Sequence, residues 1–351
     1  MDISELGKFG LLSHLTGHLQ SSNPSTIQGV GEDAAVLDYK GQAILLAHNL
    51  LLEGIHFDLT YVALKFAGYK AATTCFSDIY AMNGQPRQLS VSVGISKRFS
   101  VEDVDELWMG IEYACERYGV DLVGVNTSSS LTGLCIGVTV TGEANRDAIV
   151  YRNTAKVTDL ICVSGDLGSA YMGLQLLERE KAVHSGEADF TPDFAGKEYL
   201  LERQLRPEAR KDIVELLAQN RILPTSMMDI SDGLASELLH ICKQSNVGCA
   251  IYEERLPIDY QTAMMAEQFN MNLTTVALNG GDDYELLFTV PLHLHETIQA
   301  INGIRLIGHI VEPEEGAHLI ARDGTRIPLI AQGWTSENNN ATNPTNHTTH
   351  E

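Results

Sequence analysis

The chain has 351 residues, 44% of them hydrophobic and 20% charged, a composition that excludes a disordered chain and allows two domains with a sizeable core. Its net charge of −22, from 46 acidic and 24 basic residues, excludes a nucleic-acid surface, because phosphates would be repelled rather than steered. The most apolar stretch, Ala43 to Leu52, is broken by His48 and Asn49, so no membrane span is expected, and the start of the chain lacks the basic-then-apolar pattern of a signal peptide.

Taken in order, helical spacing predicts a first helix over about Ser4–Leu19, a strand near Ala43–Ala47 and a helix over Leu64–Met82. Gln88–Gly94 reads as a strand. Ser100 with Asp103 has the spacing of a capping box opening a helix to about Tyr118. Leu134–Thr141 alternates valine, isoleucine and threonine as a half-buried strand does. After the loop EANRDAIVYRN come a strand at Leu160–Val163, the turn SGDLG and a helix over Ser169–Glu180. The polar stretch His184–Phe194 reads as a surface insertion, and Arg206-Pro207 is expected to open a helix running to Gln219. A strand at Ser226–Asp229, a helix over about Gly233–Gln244 and a strand at Tyr284–Val290 follow. Beyond Trp334 the chain is polar and low in complexity, so a disordered tail is expected. The alternation of helix and strand predicts an α/β or α+β fold. Boundaries are expected at 1–148, 149–335 and 336–351.

Six cysteines are spaced without a CxxC pair or a zinc pattern, which fits small buried hydrophobes in a reducing cytoplasm. The chemistry-bearing signal lies elsewhere. Acidic residues beside glycines recur in GVGEDAAVL (29–37), FSDIYAMNGQP (76–86), DISDGL (229–234) and NGGDDYELLF (279–288). Glycine permits tight turns and close approach, and carboxylates hold hard cations. With no Walker-type GxxxxGK[ST] in the chain, the pattern points to phosphate held through magnesium rather than by a P-loop lysine.

The order GEDAAVL, LLEGIHF, GYKA with SDIYAMNGQP, VSGDLG, DISDGL, GGDDYELLFT and a late GW resembles thiamine-monophosphate kinase, a family of the aminoimidazole-ribonucleotide-synthetase-like superfamily. The resemblance implies a two-domain α/β (α+β) fold: an N-terminal domain that pairs into a sheet or barrel with a second subunit, and a C-terminal α/β domain. ATP and Mg2+ would lie between the domains of a homodimer. The reaction implied is transfer of the γ-phosphoryl of ATP to thiamine monophosphate, with neither nucleic acid nor membrane as a partner. No general base is needed, since a phosphate acceptor, with a second pKa of about 6, is already largely ionised.

Carried across position by position, the resemblance gives Asp33, Asp78, Asp229 and Asp232 as metal ligands, with Asn49 and Asn126 at two further metal positions. ATP would meet Glu32, Asp33, Gly124, Val125, Asn126, Arg152, Ser231 and Asp232. The thiamine phosphate would meet His56, Phe57, Asp282, Asp283, Glu285 and Trp334, the last by stacking on the cationic thiazolium. The family carries aspartates where Asn49 and Asn126 stand, and glycine where Val125 stands. Each unit charge so lost is worth about 4 kcal/mol at 4 Å and an effective dielectric near 20. A homologue that binds nucleotide or thiamine phosphate without efficient turnover is therefore the alternative, and a synthetase of the same superfamily with another substrate is a third.

Overall fold

A computed structural model of the chain describes residues 26–28, 32, 34–39, 42–183 and 194–332. The expected first helix, nearly all of the His184–Phe194 stretch, Asp33, Trp334 and the tail lie outside the described residues. Among those described, no helix is long and apolar enough to cross a membrane.

In the first half, strands β1 (Thr26–Gln28), β2 (Ala35–Tyr39), β3 (Gln42–Leu52), β4 (Gln85–Ile95), β5 (Asp121–Ser129) and β6 (Cys135–Ala144) form a six-stranded sheet in the order β1-β2-β3-β6-β4-β5. Helices α1 (Leu64–Tyr80) and α2 (Val101–Tyr118) cover one face. The period of two sends Leu45, Val91 and Val138 into that core. It leaves Leu50, Leu52, Val123 and Val125 exposed on the same sheet. Helix α2 begins as its sequence predicts: Ser100 Oγ accepts from Asp103 N at 3.2 Å, and Asp103 Oδ2 accepts from Ser100 N at 2.8 Å.

The two helices touch through glycine. A Cβ on Gly110 would overlap the Lys65 carbonyl and stand 2.9 Å from Tyr69 N. Gly110→Ala is therefore expected to lower unfolding free energy by about 2–3 kcal/mol, as overpacking does, read as a lower urea midpoint at unchanged m.

The second half carries β7 (Leu160–Ser164), α3 (Ser169–Val183), α4 (Glu198–Leu205), α5 (Lys211–Gln219), β8 (Ser226–Asp229), α6 (Leu234–Ser245), β9 (Gly248–Tyr252), α7 (Tyr260–Gln268) and α8 (Leu273–Asn279). It continues through β10 (Leu286–Val290), α9 (His295–Gln299), β11 (Ile304–Val311), β12 (Ala317–Ile320) and β13 (Arg326–Pro328). Its seven strands run β13-β12-β9-β11-β7-β10-β8, with β7, β8 and β10 wholly buried.

Two expectations change, and one segment left unassigned by the sequence is a strand. Gly124–Asn126 lies in a regular strand, β5, parallel to β4 with Val125 opposite Val91. Val125 lies outside the positive-φ region, so β-branching costs nothing there. No helix opens at Arg206-Pro207; the chain first closes α4, runs on without helix, and starts α5 at Lys211. Proline stops the preceding helix here rather than starting the next. Strand β10 begins at Leu286 because Tyr284 takes φ +52.

Candidate active site

Helix α1 presents one polar stripe on an otherwise apolar rod. Lys70, Thr74 and Asp78 recur at intervals of four and line a cavity of about 420 Å3 between the two halves. Residues from β3 and its following turn (His48, Asn49, His56) form one wall. The loop after β8 and the turn before β10 form the other, with Asp229, Ser231, Asp232, Asp282 and Tyr284.

Within it, Asn49 Nδ2 donates to Asp78 Oδ2 at 3.0 Å. Asp229, at the end of β8, is buried and accepts from Ser77 Oγ at 2.6 Å, a bond that crosses from one half to the other. The backbone N–H groups of Ser231 and Asp232 donate to Glu237 Oε1 at 3.1 and 2.8 Å. A buried carboxylate on α6 thus holds that bend from beneath and leaves its side chains facing the cavity. Glu32 and Arg152 also line the space, Arg152 N donating to Glu32 Oε2 at 2.9 Å.

The bend from Gly281 to Glu285 sorts its acids by backbone geometry. Asp282 and Tyr284 take positive φ, +59 and +52, and they face the cavity while Asp283 and Glu285 stand apart from it. Lys70 Nζ reaches Asp282 Oδ2 at 2.9 Å, and Tyr284 Oη donates to Asp282 Oδ1 at 3.1 Å. Burial pushes the Asp282 pKa up, but the Lys70 ammonium, the Tyr284 hydroxyl and His56 outweigh it and hold the carboxyl below its ordinary range. Burial, with the charges of Asp282 and Asp229, pushes Tyr284 well above the usual phenol value.

Several candidates fall elsewhere. Phe57 is packed in the core of the first half. Gly124, Val125 and Asn126 sit on the edge strand β5 and do not line the cavity. Glu285 is 1% exposed and is gripped by Ser164, Arg203 and Arg210. Asp283 is 2% exposed and accepts from Gly168 N at 3.0 and 3.1 Å. Asp33 and Trp334 lie outside the described residues. Conversely, sequence reasoning passed over Lys70, Thr74, Ser77 and Tyr284. The four-residue spacing of Lys70, Thr74 and Asp78 within an apolar helix was the signal for the first two.

Burial drives the Asp283 pKa up to about 7, opposed by Arg203 and the Gly168 N–H and aided by Glu285 and Asp166. The unfolded chain titrates this group near its ordinary 3.8. The native state therefore binds the extra proton in between, and the stability it contributes below about pH 4 is lost as pH rises through 7. Asp283→Asn, which still accepts from Gly168, is expected to flatten the decline of the urea midpoint between pH 4 and 7.

The cavity is a poor host for a bare polyanion, since Glu32, Asp78, Asp229, Asp232 and Asp282 face Lys70 and Arg152 across it. Its donors are hard oxygens, the kind that magnesium takes. Among the described residues no group of three or more His, Cys, Asp or Glu side chains is placed to hold an ion alone. That arrangement fits an ion bound by one or two carboxylates and completed by phosphate oxygens and water.

Comparison with known proteins agrees with this geometry. The chain matches the AIR synthase related protein N-terminal domain over residues 31–144 and the corresponding C-terminal domain over 157–316. It is 33% identical to the thiamine-monophosphate kinase of Aquifex aeolicus (strain VF5) over 91% of this chain and 100% of the relative. To that of Bacillus subtilis (strain 168) it is 30% identical, over 90% and 97%. Among solved structures, AaThiL complexed with AMPPCP and TMP superposes with a TM-score of 0.79 at 33% identity, covering 93% of this chain and 96% of that one. The hydrogenase maturation protein HypE in complex with ATP, at 18% identity and TM-score 0.67 over 88% and 90%, shares the fold. With two acid-lined half-sites meeting across one cleft, both domain matches in order, and relatives covered from end to end, the chain belongs to the thiamine-monophosphate kinase family.

Proposed function

We propose that this chain transfers the γ-phosphoryl group of ATP to the phosphate of thiamine monophosphate, giving thiamine diphosphate, in the cavity between its halves. One observation carries the reading: a single space gathers Asn49, Asp78 and His56 from the first half with Asp229, Ser231, Asp232 and Asp282 from the second. The named relatives, and the neighbour holding AMPPCP and TMP, point the same way.

An already ionised acceptor needs no proton removed, so the protein's task is to place two anions in line and keep water out. Asp78, Asp229 and Asp232, no more than two of them to one ion, would hold magnesium, which when bound supplies charge neutralisation at the phosphate oxygens. Arg152 and Ser231 serve the nucleotide end, and His56 and Asp282 serve the acceptor end. The cleft is fixed by Ser77 on one side and Glu237 on the other, so the groups it aligns need little reorganisation. The domains divide near residue 148, and the exposed sheet face bearing Leu50, Leu52, Val123 and Val125 is the surface on which a second copy pairs. Six free thiols, most of them buried, suit a reducing cytoplasm.

The Asn49 amide, donating to Asp78, is the specific observation behind a slower enzyme. It brings no negative charge to the ion and occupies one oxygen of a carboxylate that would otherwise serve it. Thiamine diphosphate formation from ATP, measured against magnesium concentration, tests both readings. Wild type is expected to turn over, and Asn49→Asp to lower the magnesium needed for half-maximal rate by about tenfold, the worth of roughly 1.4 kcal/mol. Asn126→Asp, on a strand outside the cavity, is expected to add little. Absence of product from both wild type and the Asn49→Asp, Asn126→Asp double variant, with ATP still bound, would leave a binding protein instead.

A further inference from the structure

The cavity holds a charge pair of which the assignments above use Asp282 and leave Lys70 without a role. Lys70 is 5% exposed, yet it lines the cleft and spends its ammonium on Asp282, whose side chain is 35% exposed. Taking an ammonium out of water costs several kcal/mol, which a single pair repays poorly, so stability gives no reason for this one. Its partner stands on the opposite half, in a bend with two non-glycine residues at positive φ, a geometry that itself carries a cost of order 1–3 kcal/mol per residue.

The two cations of the cavity keep different carboxylate partners. Arg152 meets Glu32 through its N–H at 2.9 Å and its Nε at 3.6 Å. Lys70 instead lies beside Asp282, whose carboxyl also feels His56. A dianionic acceptor entering a space lined by five carboxylates needs a positive group at its own end. An ammonium has three N–H donors on a swivelling stem, enough to hold a carboxylate and a phosphate oxygen together.

We propose that Lys70 is the phosphate-receiving cation of the acceptor end, with Asp282 sharing its ammonium and holding it in line with Asp78 along α1. This rests on the phosphotransferase reading for the identity of the acceptor, but not for the chemistry of the contact. That Asp282 is held ionised keeps its grip on the ammonium through the neutral range.

Calorimetric binding of thiamine monophosphate and of thiamine to the full chain, with magnesium present, separates a phosphate contact from a structural one. Lys70→Met is expected to weaken thiamine monophosphate by about thirtyfold, as loss of a charge-assisted hydrogen bond does, while thiamine and AMPPCP shift less than about threefold. Lys70→Arg keeps the charge and is expected to fall between. Should Lys70→Met fail to fold, Lys70→Met with Asp282→Asn removes the stranded carboxylate, and the ratio of the two affinities is read on that protein. A variant that binds thiamine monophosphate like wild type, or loses thiamine equally, overturns the proposal. If wild type itself ignores thiamine monophosphate, the substrate reading fails. Inorganic phosphate then decides the lysine: weaker binding to Lys70→Met upholds the contact, and equal binding to both proteins removes it.

Discussion

Asp229→Asn is expected to lower kcat by about a thousandfold, near 4 kcal/mol of transition-state stabilisation, while leaving the fold intact. The carboxylate stands at the end of β8, where the strand hands over to the Ser231–Asp232 bend, and it is buried. Asparagine keeps an oxygen to accept from Ser77 Oγ, now at 2.6 Å, so the cross-cleft hydrogen bond survives. What disappears is a negative charge in a water-poor site, the kind of loss that costs most when a cation must sit there. Asp229→Ala removes the acceptor as well, and a stranded Ser77 hydroxyl adds about 1–3 kcal/mol of instability. Steady-state turnover beside urea unfolding of both variants separates charge from scaffold. An asparagine variant within tenfold of wild type would remove Asp229 from the chemistry.

The second large effect is on stability. Glu285→Ala is expected to lower unfolding free energy by about 3–5 kcal/mol, because it leaves buried guanidinium groups uncompensated. Arg203 Nη1 reaches Glu285 Oε1 at 2.9 Å, and Arg210 Nη1 pairs with Oε2. The two arginine side chains are 12% and 14% exposed. Burial works against both charges, and Glu285, with Asp283 near Arg203 and Asp212 near Arg210, holds them firmly protonated. Glu285→Gln keeps a donor–acceptor geometry and is expected to lose less. Urea midpoints at pH 7 for the three proteins give the order, and a Glu285→Ala protein as stable as wild type would contradict the role of this cluster.

These two carboxylates show where sequence reasoning reaches and where it stops. DISDGL marked Asp229 correctly as an acid at a strand end, because strand, bend and helix signals stand next to one another in the chain. GGDDYELLF marked Asp282, Asp283 and Glu285 together as one substrate loop, yet of these three only Asp282 faces the cavity, beside the unmarked Tyr284. Nothing local signals that Asp282 and Tyr284 take positive φ, a conformation that tertiary contacts such as Lys70–Asp282 support. The capping box of α2 was legible because all its atoms lie within four residues. Strand β5 was not, since its pairing with β4 is made across a helix and glycine and asparagine are weak strand formers. Proline at 207 carried the right meaning, a helix boundary, with the wrong direction.

Helix α1 interleaves Lys70 and Asp78 with Ala71, Ala72 and Cys75, side chains wholly enclosed by the first half. The floor of the cleft is thereby bolted to the interior of one lobe, whereas its ceiling is built from two bends of the other. An added methylene at Ala72 or Cys75, typically costing about 1–3 kcal/mol in strain, would also tilt a rigid lever whose far end carries a carboxylate. Drift in hidden positions of this helix is thus filtered by catalysis as well as by folding, and replacements that a melting curve tolerates should still register as slower phosphoryl transfer.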